Sequence, residues 1–253
     1  MSSTPEALWN DPAVRRLRPA AVLCRALSHG TTLDGVDLAV PVGWRLLLVS
    51  RPDAAASDLL RVIGGLARPR RGSVRLAGLD PVATQRAGGL VSYVGPQAGL
   101  YGWMTPREAL ALSAKLVALP DERIQPLLRR YGLLATADRP MRRGGAAERQ
   151  RVALAAAMLS DPEVLLLDDA LSAVDLADRG ALLADDSPRR TVLLASRFPA
   201  REAGLCSHVA LLRKGRIALL APIADLEREG LPLSMRGIET LADRRQPAMT
   251  RAG

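Results

Sequence analysis

Lysine is almost missing from this chain: Lys115 and Lys214 are the only two among 253 residues. The formal charge of +9 is therefore carried by arginine, and Phe, Trp and Tyr together make up only 3% of the sequence. The arginines are scattered, with no tract longer than short runs such as Arg68–Arg71 and no aromatic residues between them. That pattern argues against a surface that stacks bases or tracks a phosphate backbone, so no specific nucleic-acid partner is expected. It reads instead as a solvated basic face near anionic lipid. Cysteine is equally scarce. Cys24 and Cys206 lie far apart and form no CxxC or metal spacing, which predicts free buried thiols in a reducing compartment. Long apolar runs are absent too. Val152–Leu159 is the longest, far short of the roughly 20 residues a spanning helix needs. Residues 1–20 are polar and aperiodic and carry no apolar core segment, which predicts a loose lead-in and a cytoplasmic or peripheral protein.

What is present is 48% apolar residues, in patterns that alternate between strand and helix, as in an α/β protein. The stretch Val164–Asp175, VLLLDDALSAVD, concentrates the chemistry. A short apolar run after the turn signal Asp161-Pro162 predicts a strand buried in a parallel sheet. Two acids then stand at its carboxyl end, the edge where open α/β sheets hold ligands. A carboxylate there can hold Mg²⁺ by one or two oxygens. Taken alone, the stretch is equally a strand ending in a solvated Asp-Asp turn.

Along the chain, Val22–Leu27 and Val36–Val42 alternate as strands. Leu46–Val49 predicts a buried strand running into residues 50–57, and Leu59, Val62, Ile63 and Leu66 then mark a helix face. Strands follow at Val74–Ala77 and Leu90–Val94. Two helical patterns, Pro106–Leu119 and Asp121–Tyr131, form an inserted layer, and Glu148–Ser160 predicts a helix leading to the central strand. A helix from Asp175, the strand Val192–Ala195, a short helix after Pro199 and strands His208–Leu212 and Arg216–Leu220 complete the domain. The polar, basic segment beyond Glu229 is expected to be loosely held.

Strand, tight loop and helix is the setting of a phosphate loop, yet the glycines and lysine that curl its backbone and balance phosphate charge are missing. Ser50, Asp53, Ala55 and Ala56 stand there instead.

In this order the chain resembles the ATP-binding-cassette (ABC) ATPase domain over about residues 21–225. The landmarks are Gly43–Leu66 for strand, phosphate loop and helix, Tyr93–Gln97 for the Q-loop, and ERQRVAL at Glu148–Leu154 for the helix after the signature. Val164–Asp175 matches Walker B and the D-loop, Thr191–Arg197 runs to the switch position, and Val209–Ile217 resembles the closing hairpin. Leu100–Glu108 is similar to the segment after the Q-loop in exporter-type cassettes. The resemblance implies a P-loop NTPase-like parallel-sheet core with an N-terminal antiparallel β subdomain, an inserted helical subdomain at about 98–145, an ABC ATPase-like domain spanning 21–228 and a basic tail at 229–253.

The departures fall on the chemistry. Where the family has GPNGAGKST this chain has Ser50–Asp58, with Ala56 at the lysine and Asp58 at the last hydroxyl; Asp53 and Asp58 also oppose an anion. Ser57, Gln97 and Asp168 match the family's magnesium-side groups. Asp169 replaces the catalytic Glu and is one methylene shorter. A misplacement of about 1 Å costs on the order of a hundredfold in rate. The signature LSGGE reads Gly144-Gly145-Ala146-Ala147-Glu148, and Arg197 stands at the switch histidine. His208 is expected to be structural. His29 falls near the adenine-stacking aromatic, where a loop histidine without a role is equally open.

The resemblance implies ATP and Mg²⁺ as cofactors, here bound weakly or not at all, and a membrane permease and a second cassette, in a homo- or heterodimer, as partners. Family dimers build each site from one chain's phosphate loop and the other's signature. Both elements are altered in this one chain, so no partner supplies a site intact on both sides. The expected role is a weak or non-hydrolysing structural or regulatory subunit at the inner face of the membrane. The alternatives are an atypical working Mg-ATPase energising transport and a nucleic-acid-associated protein.

Overall fold

A computed structural model describes residues 20–51, 54–82, 90–97, 99–184, 187 and 189–245. In chain order the elements are β1 (Ala20–His29), β2 (Leu33–Pro41), β3 (Arg45–Ser50), α1 (Ala55–Ile63), β4 (Arg71–Leu76), β5 (Val91–Val94), α2 (Pro106–Leu116) and α3 (Ile124–Arg130). Then come α4 (Ala146–Ala157), β6 (Val164–Asp168), α5 (Leu176–Leu183), β7 (Thr191–Ala195), α6 (Pro199–Glu202), β8 (His208–Arg213), β9 (Arg216–Pro222), α7 (Ala224–Arg228) and α8 (Met235–Arg245). They group into two compact units: the residues up to Pro81 with those from Thr191 onward, and Val82–Arg190.

In the first unit β3 lies between β7 and β8, parallel to both, and β9 returns antiparallel along β8. Leu46, Leu47, Leu48 and Val49 are fully buried, which is why this strand is a continuous apolar run and not an alternating one. A separate antiparallel sheet has the order β2-β1-β4, with one face buried through Val22, Cys24, Val36, Val40, Val74 and Leu76. The mixed α/β architecture is the one the sequence leads to. Burial pushes the Cys24 thiol up to about 12, helped by the charge of Asp37. Burial likewise raises Cys206 to about 12; both cysteines are free.

The loosely held segment expected beyond Glu229 is corrected over Met235–Arg245, which forms α8 with Ile238, Leu241 and Ala242 buried. Ion pairs hold its outer face: Arg213 to Asp243 at 2.8 Å and Arg244 to Glu229 at 3.1 Å. Burial raises the Asp225 carboxyl, but the hydrogen bond from Arg245 and the charge of Arg228 hold it below the usual carboxylate range. The lead-in at 1–19 lies outside the described residues, as do Pro52, Asp53 and residues 246–253.

In the second unit β5 and β6 pair in parallel, Val94 opposite Leu167, and every residue of β6 is buried. The inserted helical layer is present as α2 and α3. Thr105 opens α2 with a full capping box: its hydroxyl accepts from the Glu108 amide and Glu108 accepts from the Thr105 amide, with Pro106 in the first turn. Pro fixes the entry dihedral and the box satisfies two amides that lack helical partners. Among the described residues no helix is long and apolar enough to cross a membrane.

Candidate functional site

Each unit carries one half of the chemistry the sequence points to. In the first, Ser50 ends β3 and Ala55, Ala56, Ser57 and Asp58 fill the first turn of α1. Ala54 at the helix N-cap provides no side-chain cap. The Ser50 hydroxyl accepts the Ala56 amide at 3.3 Å, and the Ala55 and Ala56 side chains are buried, Ala56 at 6% exposure. The Thr32 hydroxyl donates to the Asp58 carboxylate at 2.7 Å, so Asp58 is tied toward the antiparallel sheet. Arg51, 62% exposed, lies 3.8 Å from Glu239 on α8. Asp53 lies outside the described residues.

The switch position leaves the same edge. β7 runs parallel beside β3, with Leu48 opposite Ala195 and the Ser196 amide donating to Leu48 O at 3.2 Å. Arg197 follows, exposed. Ser196 donates to the buried Glu202 and accepts the Phe198 amide, which fixes the turn. His208 is not part of this edge. It begins β8 with its ring stacked on Trp44, centroids 3.4 Å apart and planes within 7°. Burial lowers its pKa, with the charge of Asp225 opposing. His29 closes β1, its Nδ1 at 2.8 Å from Arg68 O.

In the second unit Asp168 is the last residue of β6 and is buried, while Asp169 turns away with φ of +50°. Asp tolerates this left-handed conformation because its short side chain bonds locally. Tyr93 donates to Asp168 Oδ2 at 2.8 Å. Gln97, two residues beyond Gly95 at the end of β5, is exposed. A groove of about 390 Å³ lies between β5 and α4, lined by Tyr93, Gly95, Gln97, Leu100 and the small side chains of Ala153 and Ala156. Beyond it Tyr101 and Trp103 stack on each other with centroids 5.7 Å apart, 61% and 63% exposed.

The signature turn starts α4. Gly145 is the N-cap and has no side chain to cap with; Ala146, Ala147 and Glu148 form the first turn. The Glu148 carboxylate folds over Gly144, where a Cβ would stand 2.6 Å from it, and takes a 2.7 Å ion pair from Arg139. Its other oxygen, Oε1, is buried without a hydrogen bond. Two residues escaped the sequence reading as functional groups. Tyr93 entered only as a landmark, and Gln150, buried on α4, bridges Ser172 Oγ at 3.0 Å and the Ala173 amide at 2.9 Å. A glutamine on the apolar side of a helix beside Val152 and Leu154 is the signal that marks it.

A strand flanked by parallel neighbours and followed by a helix in one unit, and a buried carboxylate closing a strand of a parallel pair in the other, are features of nucleoside-triphosphatase-type α/β folds. The chain belongs to the ABC transporter family: the family's model matches residues 33–172. It is 32% identical over 216 residues to the nickel import ATP-binding protein NikO of Rhodobacter capsulatus, covering 77% of this chain and 84% of that protein. It is likewise 32% identical over 205 residues to the sulfate/thiosulfate import ATP-binding protein CysA of Mycobacterium tuberculosis, spanning 77% of this chain but only 58% of the relative's length. The fold matches a solved ATP-binding subunit of an ABC transporter with a TM-score of 0.74, at 23% identity, over 88% of this chain and 99% of that one.

Proposed function

We propose that this chain is a nucleotide-binding-type subunit that keeps the ABC scaffold but grips and hydrolyses ATP weakly or not at all, acting as a structural or regulatory partner of a permease and a second cassette. The observation that carries this reading is the Ser50–Ala56 contact. A phosphate loop works by turning backbone amides and a lysine toward an anion. Here the amide at the lysine position is given to a serine hydroxyl within the chain, and the side chain is a buried methyl. A lost charge-assisted contact weakens binding by about 1.5–3 kcal/mol, where about 1.4 kcal/mol is tenfold. The loop therefore does not fit ATP and Mg²⁺ as the family holds them, and no hydrolytic step is assigned to it.

Gly145 without a hydroxyl, Asp169 in place of the longer Glu and Arg197 in place of His support the same reading. The face spanning residues 97–144, with the groove beside β5 and the exposed Tyr101 and Trp103, is the side offered to a permease helix, at the cytoplasmic surface of the membrane. The names of the relatives favour an import system; the exporter-like Leu100–Glu108 is a local likeness only. A working, atypical Mg-ATPase has one observation in its favour: Asp168 is held at the end of β6 by Tyr93.

Equilibrium binding of a labelled ATP analogue with Mg²⁺ decides between the two. Absence of saturable binding below millimolar concentration supports the first. Micromolar binding with turnover abolished by Asp169→Asn overturns it.

A further inference from the structure

The edge of the antiparallel sheet concentrates positive charge. In β4 the residues Arg71, Ser73 and Arg75 are exposed while Val74 and Leu76 are buried, so Ser73 and Arg75 share the solvent face of the strand, and Arg71 is exposed just before the irregularity at Gly72. Arg25 of β1 stands opposite Ser73, which sets its side chain diagonal to Arg75. Arg68 and Arg70 enter from the preceding turn, pinned by the Arg70 amide on Ser28 O at 2.7 Å and His29 on Arg68 O at 2.8 Å. Gly72 makes this register possible. Its φ is +75°, and a Cβ there would collide with the carbonyl oxygens of Arg25 and Ala26.

Two carboxylates lie near. Asp80 is 3.9 Å from Arg75, and Asp37 accepts the Ala26 amide at 2.8 Å. Among the described residues none pairs with Arg25, Arg68, Arg70 or Arg71, whereas arginines such as Arg107, Arg139, Arg213 and Arg216 each hold an acid. Leu66 and Leu79, which precede and follow these arginines in the sequence, are 52% and 51% exposed.

We propose that this edge is a direct contact for anionic phospholipid headgroups. Exposed guanidiniums carried on a pinned backbone, with two exposed leucines close in sequence, match a negatively charged interface with an apolar layer beneath it. A nucleic acid fits less well, because residues 20–29 and 66–79 contain no Phe, Tyr or Trp on which a base could stack. The contact belongs to the β-sheet edge and depends neither on nucleotide binding nor on a permease.

Each arginine brought to an anionic leaflet raises partitioning about fivefold, and the attraction decays within a Debye length. The full chain is sedimented with vesicles of phosphatidylglycerol in phosphatidylcholine and with phosphatidylcholine alone, at low and high salt. The expected result is salt-sensitive binding to the anionic vesicles only. It falls about a hundredfold or more in the R25Q/R68Q/R70Q/R71Q variant. The charge-matched R201Q/R213Q/R236Q/R244Q variant, with its changes on α6, β8 and α8, loses about fivefold at most.

Arg25→Gln and Arg70→Gln alone, each expected to lose about fivefold, keep the test valid if the fourfold variant melts early. Equal binding to both vesicle types, or an equal loss in the charge-matched variant, overturns the proposal. So does duplex DNA or RNA that displaces the vesicles and whose own binding is lost in the edge variant.

Discussion

The Tyr93 hydroxyl donates to Asp168 Oδ2 across 2.8 Å, linking two parallel strands in which Tyr93 pairs with Leu166 and Val94 with Leu167. The bond helps orient a carboxylate that is buried, and a hydrogen bond to a charged group contributes more to stability than one between neutral groups. Tyr93→Phe is expected to lower stability by about 1 kcal/mol, or roughly 2–4 °C in Tm for a chain of this length. Calorimetry of the variant checks this, and an unchanged Tm removes the bond from the account.

If the segment after β3 binds nucleotide weakly, as proposed, rebuilding it shows which group is responsible. The Ser50→Gly, Ala55→Gly, Ala56→Lys combination frees the amide now held by Ser50 and returns the cation. Affinity for a Mg-ATP analogue is expected to rise at least about tenfold. Ala56→Lys alone should gain less, because the Ser50 hydroxyl still takes the amide. Equal gains in the single and triple variants, measured by equilibrium binding, would show that the backbone was never the obstacle.

Leu241 on α8 is fully buried, so Leu241→Ala should cost about 2–5 kcal/mol through lost burial and a residual cavity. Arg244→Ala, on the exposed side of the same helix, should cost about 1 kcal/mol at most. Denaturant midpoints of the two variants make the comparison. Similar small losses would mean that the helix contributes nothing to the core.

His208 predicts a pH dependence. Its folded pKa is lowered by burial against Trp44, so the unfolded chain takes up the proton first as pH falls. The stability this imidazole contributes is complete above the ordinary histidine value of about 6.5 and is lost as pH drops through it toward the folded value. His208→Phe keeps a ring on Trp44 and removes the titration. Melting curves at about pH 7.5 and about pH 5 should differ more for the native chain than for the variant.

The fully buried strands were legible because burial on both faces writes itself as an unbroken apolar run, as in Leu46–Val49 and Val164–Leu167. The start of α2 was legible from Pro106 and the helical spacing behind it. α8 was not: Met235, Ile238, Leu241 and Ala242 recur at helical spacing, but Arg236, Glu239, Asp243, Arg244 and Arg245 between them make the segment read as polar. Its charges are matched by acids and arginines supplied elsewhere in the chain, such as Arg213 and Glu229. The Tyr93–Asp168, Thr32–Asp58 and Gln150–Ser172 bonds join residues 75, 26 and 22 positions apart, and no local pattern announces them.

The sequence by itself determined which chemical groups are available: no lysine and no glycine between Ser50 and Asp58, no hydroxyl from Gly144 to Ala147, and an aspartate at position 169. Folding cannot add a missing functional group. Only the tertiary structure decided what the remaining groups do, because a hydrogen bond or an ion pair acts over about 3–4 Å and depends on which distant segments are brought together. That is how the Ser50 hydroxyl came to hold the Ala56 amide, and how arginines apart in the sequence, Arg25 and Arg75, came to stand on neighbouring strands.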